Sequence, residues 1–406
     1  MKRLDADVLV EACGDLSGEA GVMFSAKLEP LAGPGGLVKP ATYEGGRYQL
    51  DRRWWGEGVD RRQVDVVSVD NVPSQANRLE AALEGFALQL GLPQVVLDLG
   101  GVWALPPHLP TRLSGFRFPH RQADAYLRDS LLGGERFTAT PAGRALIDAT
   151  GDAAGPILEW FPQALLFGYW QSHLGKKRSQ SKLARSWVSE IVGYDPATAP
   201  DNPTAVLGLK GDPLNLSVDD QAEFDEDDLM VKGWKLHEGS AKVGKGAKKE
   251  KLSELGHGQV PFPGGNRPAA LSGVSFAEVV QRATVSFASL RRVRVGEDTP
   301  DQDAAARAVL VALGIVAHVG AFGRAFSLRS GCDLRPVSSE WMWLGASGDE
   351  PIEPLGLEDA VGLFLSVVEA AEEVGLPVGS RWPEPLILEP DESLTKAIKA
   401  TWPLES

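Results

Sequence analysis

Between Asp195 and Gly273 the sequence follows neither the helical nor the strand period, and it is rich in Pro, Gly, Asp and Lys. It holds an acidic run, Asp219–Asp228 (DDQAEFDEDD), and a run of lysines from Lys232 to Lys251. Patterned sequence lies on both sides. Any fold must therefore carry a long irregular insertion inside a regular framework. A segment of this composition is expected to gain part of its order only on binding.

The flanks supply the framework. Gly21–Leu31 partly alternates apolar and polar residues and predicts a strand, as does the valine-rich Val64–Val72 (VDVVSVDNV). Arg78–Leu90 has helical spacing, with Gly91 and Pro93 as stops, and Pro93–Leu99 is strand-like again. Gln122–Leu132 and Pro141–Ala149 predict short helices, Gln163–Trp170 (QALLFGYW) a buried strand, and Arg185–Tyr194 either a strand or a helix, with strand the preferred reading. Regular structure resumes at Val274–Val295. A strongly apolar helix follows over Asp303–Phe322, with acids in its first turn. Leu328–Pro336 and Glu340–Leu344 read as strands, and Leu357–Val374 as an amphipathic helix. The elements mix without strict βαβ alternation, which predicts an α+β fold rather than a doubly wound sheet.

The chain has 406 residues, enough for two modules or one decorated domain, and 43% hydrophobic residues, ample for a core. No window of about 18 uninterrupted apolar residues predicts a membrane span. The start, MKRLDADVLVEACGDLSG, places acids where a secretory leader needs apolar residues. Two distant cysteines, Cys13 and Cys332, fit a reducing cytoplasm and offer neither a disulfide framework nor a zinc site. The net charge of −14 argues against nucleic acid only until it is placed. Residues 345–406 carry thirteen acids against three basic residues, and 219–228 carry seven acids and no base. The rest of the chain is net +3, so the acidity is local and a basic face remains open.

Four segments could carry chemistry. Asp70–Glu80 (DNVPSQANRLE) sets amide and guanidinium donors between a strand and a helix, suited to phosphate and 2′-hydroxyl contacts. The plainer alternative is a helix start capped by Ser74. Phe167–His173 (FGYWQSH) runs into KKRSQSKLARSW, whose Lys176, Lys177, Arg178, Lys182 and Arg185 face one acid, Glu190. Flat rings beside cations are what a single-strand groove requires, although a solvated basic loop would read the same. Within the lysine run, Gly239–Gly246 (GSAKVGKG) approaches a nucleotide-binding phosphate loop but lacks the hydroxyl that binds Mg²⁺. His257–Ser275 is a glycine- and proline-rich loop with only a weak signal. Arg324 and Arg329 read equally as ion-pair partners of Asp333 or Glu340. The six histidines show no metal-ligand spacing, and no nucleophile motif is present, so no catalytic residue, cofactor or metal is expected. Asp65, Asp70 and Glu190 are the only acids near the basic segments.

In order along the chain, VDNVPSQANRLE, LLFGYWQSH, WVSEIVGY, LRRVRV and LRSGCDL resemble the backbone (Cas seven group) subunit of type I-G, formerly I-U, CRISPR Cascade, in the RAMP superfamily. The resemblance covers roughly residues 21–345. It implies a modified ferredoxin-like, RNA-recognition-motif palm with long finger and thumb insertions. The organisation expected is an N-terminal extension (1–20), palm (21–194), irregular finger or thumb insertion (195–273), palm continuation (274–345) and an acidic helical segment (346–406). It further implies a non-enzymatic subunit that binds guide RNA (crRNA) along its backbone and assembles head-to-tail with copies of itself and other Cascade subunits. Target DNA is reached through guide pairing, and no membrane is involved. The RNA contacts implied are Gln75, Asn77, Arg78, His173, Lys176, Lys177, Arg178, Lys182 and Arg185, with Arg52 and Arg53 from the basic, aromatic piece RYQLDRRWW. Base stacking by Trp54 or Trp55 goes with that piece. Two alternatives remain at this level: a metal-dependent endoribonuclease of a related CRISPR effector, and an ATP-binding protein using Gly239–Gly246.

Overall fold

Gly21–Pro30 (β1) buries Val22, Phe24, Ala26 and Leu28 and turns Ser25 and Lys27 outward, so one sheet face forms a core and the other meets solvent. In the computed structural model this strand sits in an eight-stranded sheet among the described residues. Its other strands are Leu50–Trp55 (β2), Arg62–Asp70 (β3), Trp187–Pro196 (β4), Phe276–Ser286 (β5), Phe326–Arg329 (β6), Cys332–Gly345 (β7) and Gly348–Ile352 (β8). The order is β6-β7-β1-β5-β4-β3-β2, with β8 also on β7, and every pairing is antiparallel. The described residues are 1–43, 47–56, 58–103, 105–172, 181–197, 223–224, 250–251, 273–296 and 299–401.

Register decides what the core face holds. Phe24 stands opposite Ala283 and Trp341, and Val22 opposite Val285 and Trp343. The Phe24 ring stacks on Trp187 at 5.0 Å and meets Trp341 edge-on at 4.8 Å. Burying each such side chain contributes about 1.5–3 kcal/mol. Across this face lies the helix Pro300–Phe322 (α3), started by Pro300 with Asp301 and Asp303 in its first turn. It is enclosed by the sheet and by the helices Ala6–Ala12 (α1), Val72–Phe86 (α2) and Leu357–Glu373 (α4), which explains an apolar sequence on every side. It is long and apolar enough to cross a membrane, but 89% of its most apolar window is buried inside the protein. Gly314 is required here, because a Cβ at that position would stand 2.4 Å from the Trp187 ring.

The opposite face carries a small second cluster of Val64, Val66, Val192, Tyr194 and Val280 under Trp55. A second sheet has the order Arg112–Ser114, Val95–Asp98, Leu386–Pro390, Ser130–Leu132, Glu135–Arg136. The fold is α+β.

Several elements differ from the sequence expectation. Gln163–Trp170 is not one strand: Pro162–Phe167 is a helix, ended by Gly168, and Tyr169–Gln171 is a strand. All six helical residues are buried, so no period distinguishes helix from strand. Within Gln122–Leu132 only Ala125–Arg128 is α-helical, followed by the strand Ser130–Leu132. The helix expected from Arg78 begins at Val72, so the polar run 70–80 is mostly helix, capped by Asn71 rather than Ser74. Leu328–Pro336 is broken by a turn at Gly331, and β7 then runs unbroken through Pro336 to Gly345. Residues 346–406 supply two strands, Gly348–Ile352 and Leu386–Pro390, besides helices.

The chain forms two compact units: Met1–Ala197 with Val274–Ser406, and Thr198–Gly273. In the second, the described residues Glu223–Phe224 pair antiparallel with Glu250–Lys251. The Gly239–Gly246 loop and most of the lysine run lie outside the described residues.

Candidate nucleic-acid interface

The start of α2 is built around one carboxylate. Asp70, at the end of β3, is fully buried and accepts hydrogen bonds from four side chains. Its donors are Ser74 Oγ at 2.9 Å, Gln75 Nε2 at 2.5 Å, Arg78 Nε at 2.9 Å and an Arg329 terminal nitrogen at 2.8 Å. The acid needs such partners, since an isolated buried charge is very costly. Arg78 also donates to the Leu328 carbonyl at 2.9 Å, and Arg329 to the carbonyls of Lys39 and Val69, both at 3.0 Å. Both arginine side chains keep an outer surface, 27% exposed for Arg78 and 24% for Arg329. Two cations share one acid, so the cluster carries a surplus positive charge at a helix N-terminus.

Gln75 is the joint beneath it. Its side chain is buried, and Gln75 Oε1 accepts from Ser189 Oγ at 2.8 Å and Gln281 Nε2 at 2.9 Å. Helix α2 is thereby tied to β4 and β5, and Gln75 orders the arginines from below rather than presenting its amide at the surface. Asn77 is exposed on the same helix.

Further along α2, the side chain of Glu80 is buried and bound by both arms of Arg121, at 2.7 and 2.9 Å. Arg121 also donates to the Gly168 carbonyl at 2.9 Å. Its φ of 56° is left-handed, a strained conformation for so large a residue. Burial pushes the Glu80 carboxyl up, against the pull of Arg121 and of the nearby Arg185. Arg185 is exposed, and burial of its inner part, then repulsion from Arg121, lowers its pKa. One turn on, Arg117 binds Glu84 at 2.7 Å, a simple pair with no surplus.

Gly168 sets the geometry of this corner. Its φ is 76°, and a Cβ would stand 2.9 Å from the Leu183 carbonyl oxygen and 3.0 Å from the Arg185 nitrogen. From it springs the pair Tyr169–Gln171 and Ser181–Leu183, with Trp170 opposite Lys182. Trp170 is 60% exposed, and Lys182 Nζ lies 5.9 Å from its ring centre. His173, Lys176, Lys177 and Arg178, expected between these strands, lie outside the described residues.

The remaining candidates stand on β2. Arg52 pairs across the ladder with Asp65 at 2.9 Å. Arg53 grips Glu190 with both arms on the open sheet face, and that contact raises its pKa further. Trp54 is exposed with Arg61 5.0 Å from its ring, whereas Trp55 leans on Tyr194 at 4.1 Å. Asp65, Asp70 and Glu190 thus each bind an arginine rather than one another. Among the described residues no three His, Cys, Asp or Glu side chains form a group able to hold a metal.

Sequence reading missed Arg121 and Glu80, and it paired Arg329 with the wrong acids. Glu80 left a trace: an acid among the apolar positions of a helix that faces a core demands a cation from elsewhere. Nothing local announces that Arg121 supplies it.

Comparison with known families finds a similarity to CRISPR-associated proteins. Residues 22–198, under half of the chain, match the family model described as CRISPR-associated protein GSU0053. That stretch runs from β1 through β4 and includes both arginine clusters except Arg329. No curated protein matches the chain.

Proposed function

We propose that this protein is a backbone subunit of a type I-G CRISPR surveillance complex, holding guide RNA by its phosphates without reading its sequence. The observation that carries the reading is the surplus of arginine at the start of α2. Among the described residues Arg78 and Arg329 have Asp70 as their one acidic partner, inside a chain similar to a CRISPR-associated family. Guanidinium groups held in fixed forks suit phosphate oxygens, and such contacts fix a strand while leaving base edges free for pairing with target DNA. Trp170 beside Lys182 offers a stacking surface of the kind single strands use. In this reading the main sheet is the ferredoxin-like palm. Copies assemble head-to-tail in the cytoplasm with other subunits of the complex, and cleavage belongs to another protein. The endoribonuclease alternative gains nothing from Asp65, Asp70 and Glu190, each of which is bound by arginine.

Production of the chain together with a guide RNA tests the reading. RNA should co-purify and the protein should elute at a multiple of its own mass. A chain that stays free of RNA and monomeric in low salt would sink it.

A further inference from the structure

The corner formed by Glu80, Arg121 and Arg185 holds two cations and one acid. Both partners of the inner pair are buried, and Arg121 uses its guanidinium on the two Glu80 oxygens and the Gly168 carbonyl. Among the described residues no hydrogen bond or ion pair engages Arg185, although its backbone and Cγ crowd Gly168 at the same corner. At this corner the Glu80 carboxylate is already chelated by Arg121, so among the described residues Arg185 is left as a cation with its charge unmatched at short range. The corner also lies at the base of the strand pair that carries Trp170 and Lys182, so a strand passing there would have a ring beside it.

We propose that Arg185, backed by the Arg121–Glu80 pair, is a seat for one phosphodiester of single-stranded RNA. Arg121 acts as the positioning residue: its strained backbone and two-armed grip on Glu80 fix the floor against which Arg185 is set. Arg117, matched one-to-one by Glu84 on the same helix, takes no phosphate. The proposal rests on the RNA-binding reading above and adds to it which arginine is charged toward RNA and which is not.

The test is salt-titrated fluorescence anisotropy of the full chain with two labelled single-stranded RNAs, a uridine homopolymer and a mixed sequence of equal length. Each phosphate neutralised on a single strand contributes a slope of about −0.7 in log K against log salt. Arg185→Gln should therefore flatten the slope by about 0.7 and weaken binding about fivefold at 0.1 M salt, equally for both RNAs. Arg185→Lys should keep the slope, and Arg117→Gln should leave it unchanged. An unaltered slope in Arg185→Gln, with wild-type binding intact, would overturn the proposal and leave the RNA-binding reading standing. So would a lowered melting temperature of the free Arg185→Gln protein with an unaltered slope, the mark of a structural arginine. If the wild type binds neither RNA, the reading and the proposal fall together.

Discussion

Asp70 divides two oxygens among a hydroxyl, an amide and two guanidinium groups, and each donor belongs to a different demand. Ser74 and Gln75 close the first turn of α2, whereas Arg78 and Arg329 bring charge to the surface. His318 shows the opposite economy. It is buried among Phe24, Trp187, Trp341 and Phe322, and among the described residues its Nδ1 has no hydrogen-bond partner. Burial lowers its pKa from 6.5 to about 4. The unfolded chain therefore takes up a proton at a higher pH than the folded one. Stability from this residue is complete above pH 6.5 and is lost as pH falls toward 4, by roughly 3 kcal/mol in all. Denaturant titrations at pH 7 and pH 4.5 should show that loss in the wild type and a smaller one in His318→Phe. Equal losses in both would remove His318 as the cause.

At the scale of elements, one left-handed glycine governs the corner where the second arginine cluster sits. Gly168→Ala forces a Cβ into backbone at a φ that disfavours it, and it should cost about 1–3 kcal/mol. The denaturation midpoint should fall, and RNA affinity should fall with it because Arg185 is displaced. An unchanged midpoint would mean that the strand pair tolerates the shift. A strand with one wet face, β1 above all, was legible in the sequence because alternation survives where burial is one-sided. The helix at 162–167 was not, since residues buried on every side carry no period. The polar run 70–80 stands out by composition as a set of donors, and by sequence alone it reads as a loop or as a helix start. Only the fold shows that Gln75 is internal and that Arg329, far away in sequence, completes Asp70. The Arg121–Glu80 pair needed the same long-range information.

At the scale of the molecule, the last segment is part of the architecture and not an appendage. Leu386–Pro390 lies between Val95–Asp98 and Ser130–Leu132, parallel to the first and antiparallel to the second. Removal of residues 386–406 should therefore open the second sheet while the large one persists. Limited proteolysis should then cut within 95–136 at protease levels that spare residues 21–30; an unchanged cleavage pattern would show that the second sheet holds without its middle strand. The negative total charge also loses its force as an objection to RNA, because two sequence segments, 219–228 and 345–406, carry more than all of it and leave the remaining sequence net +3.

The irregular stretch departs after β4 and returns before β5, neighbouring strands of one ladder in which Pro196 faces Phe276. Both ends of the excursion are thus pinned side by side by hydrogen bonds that do not depend on what lies between. The register of the sheet across β4 and β5 is accordingly independent of how many residues join them, so insertions or deletions in the connecting sequence leave the ladder intact.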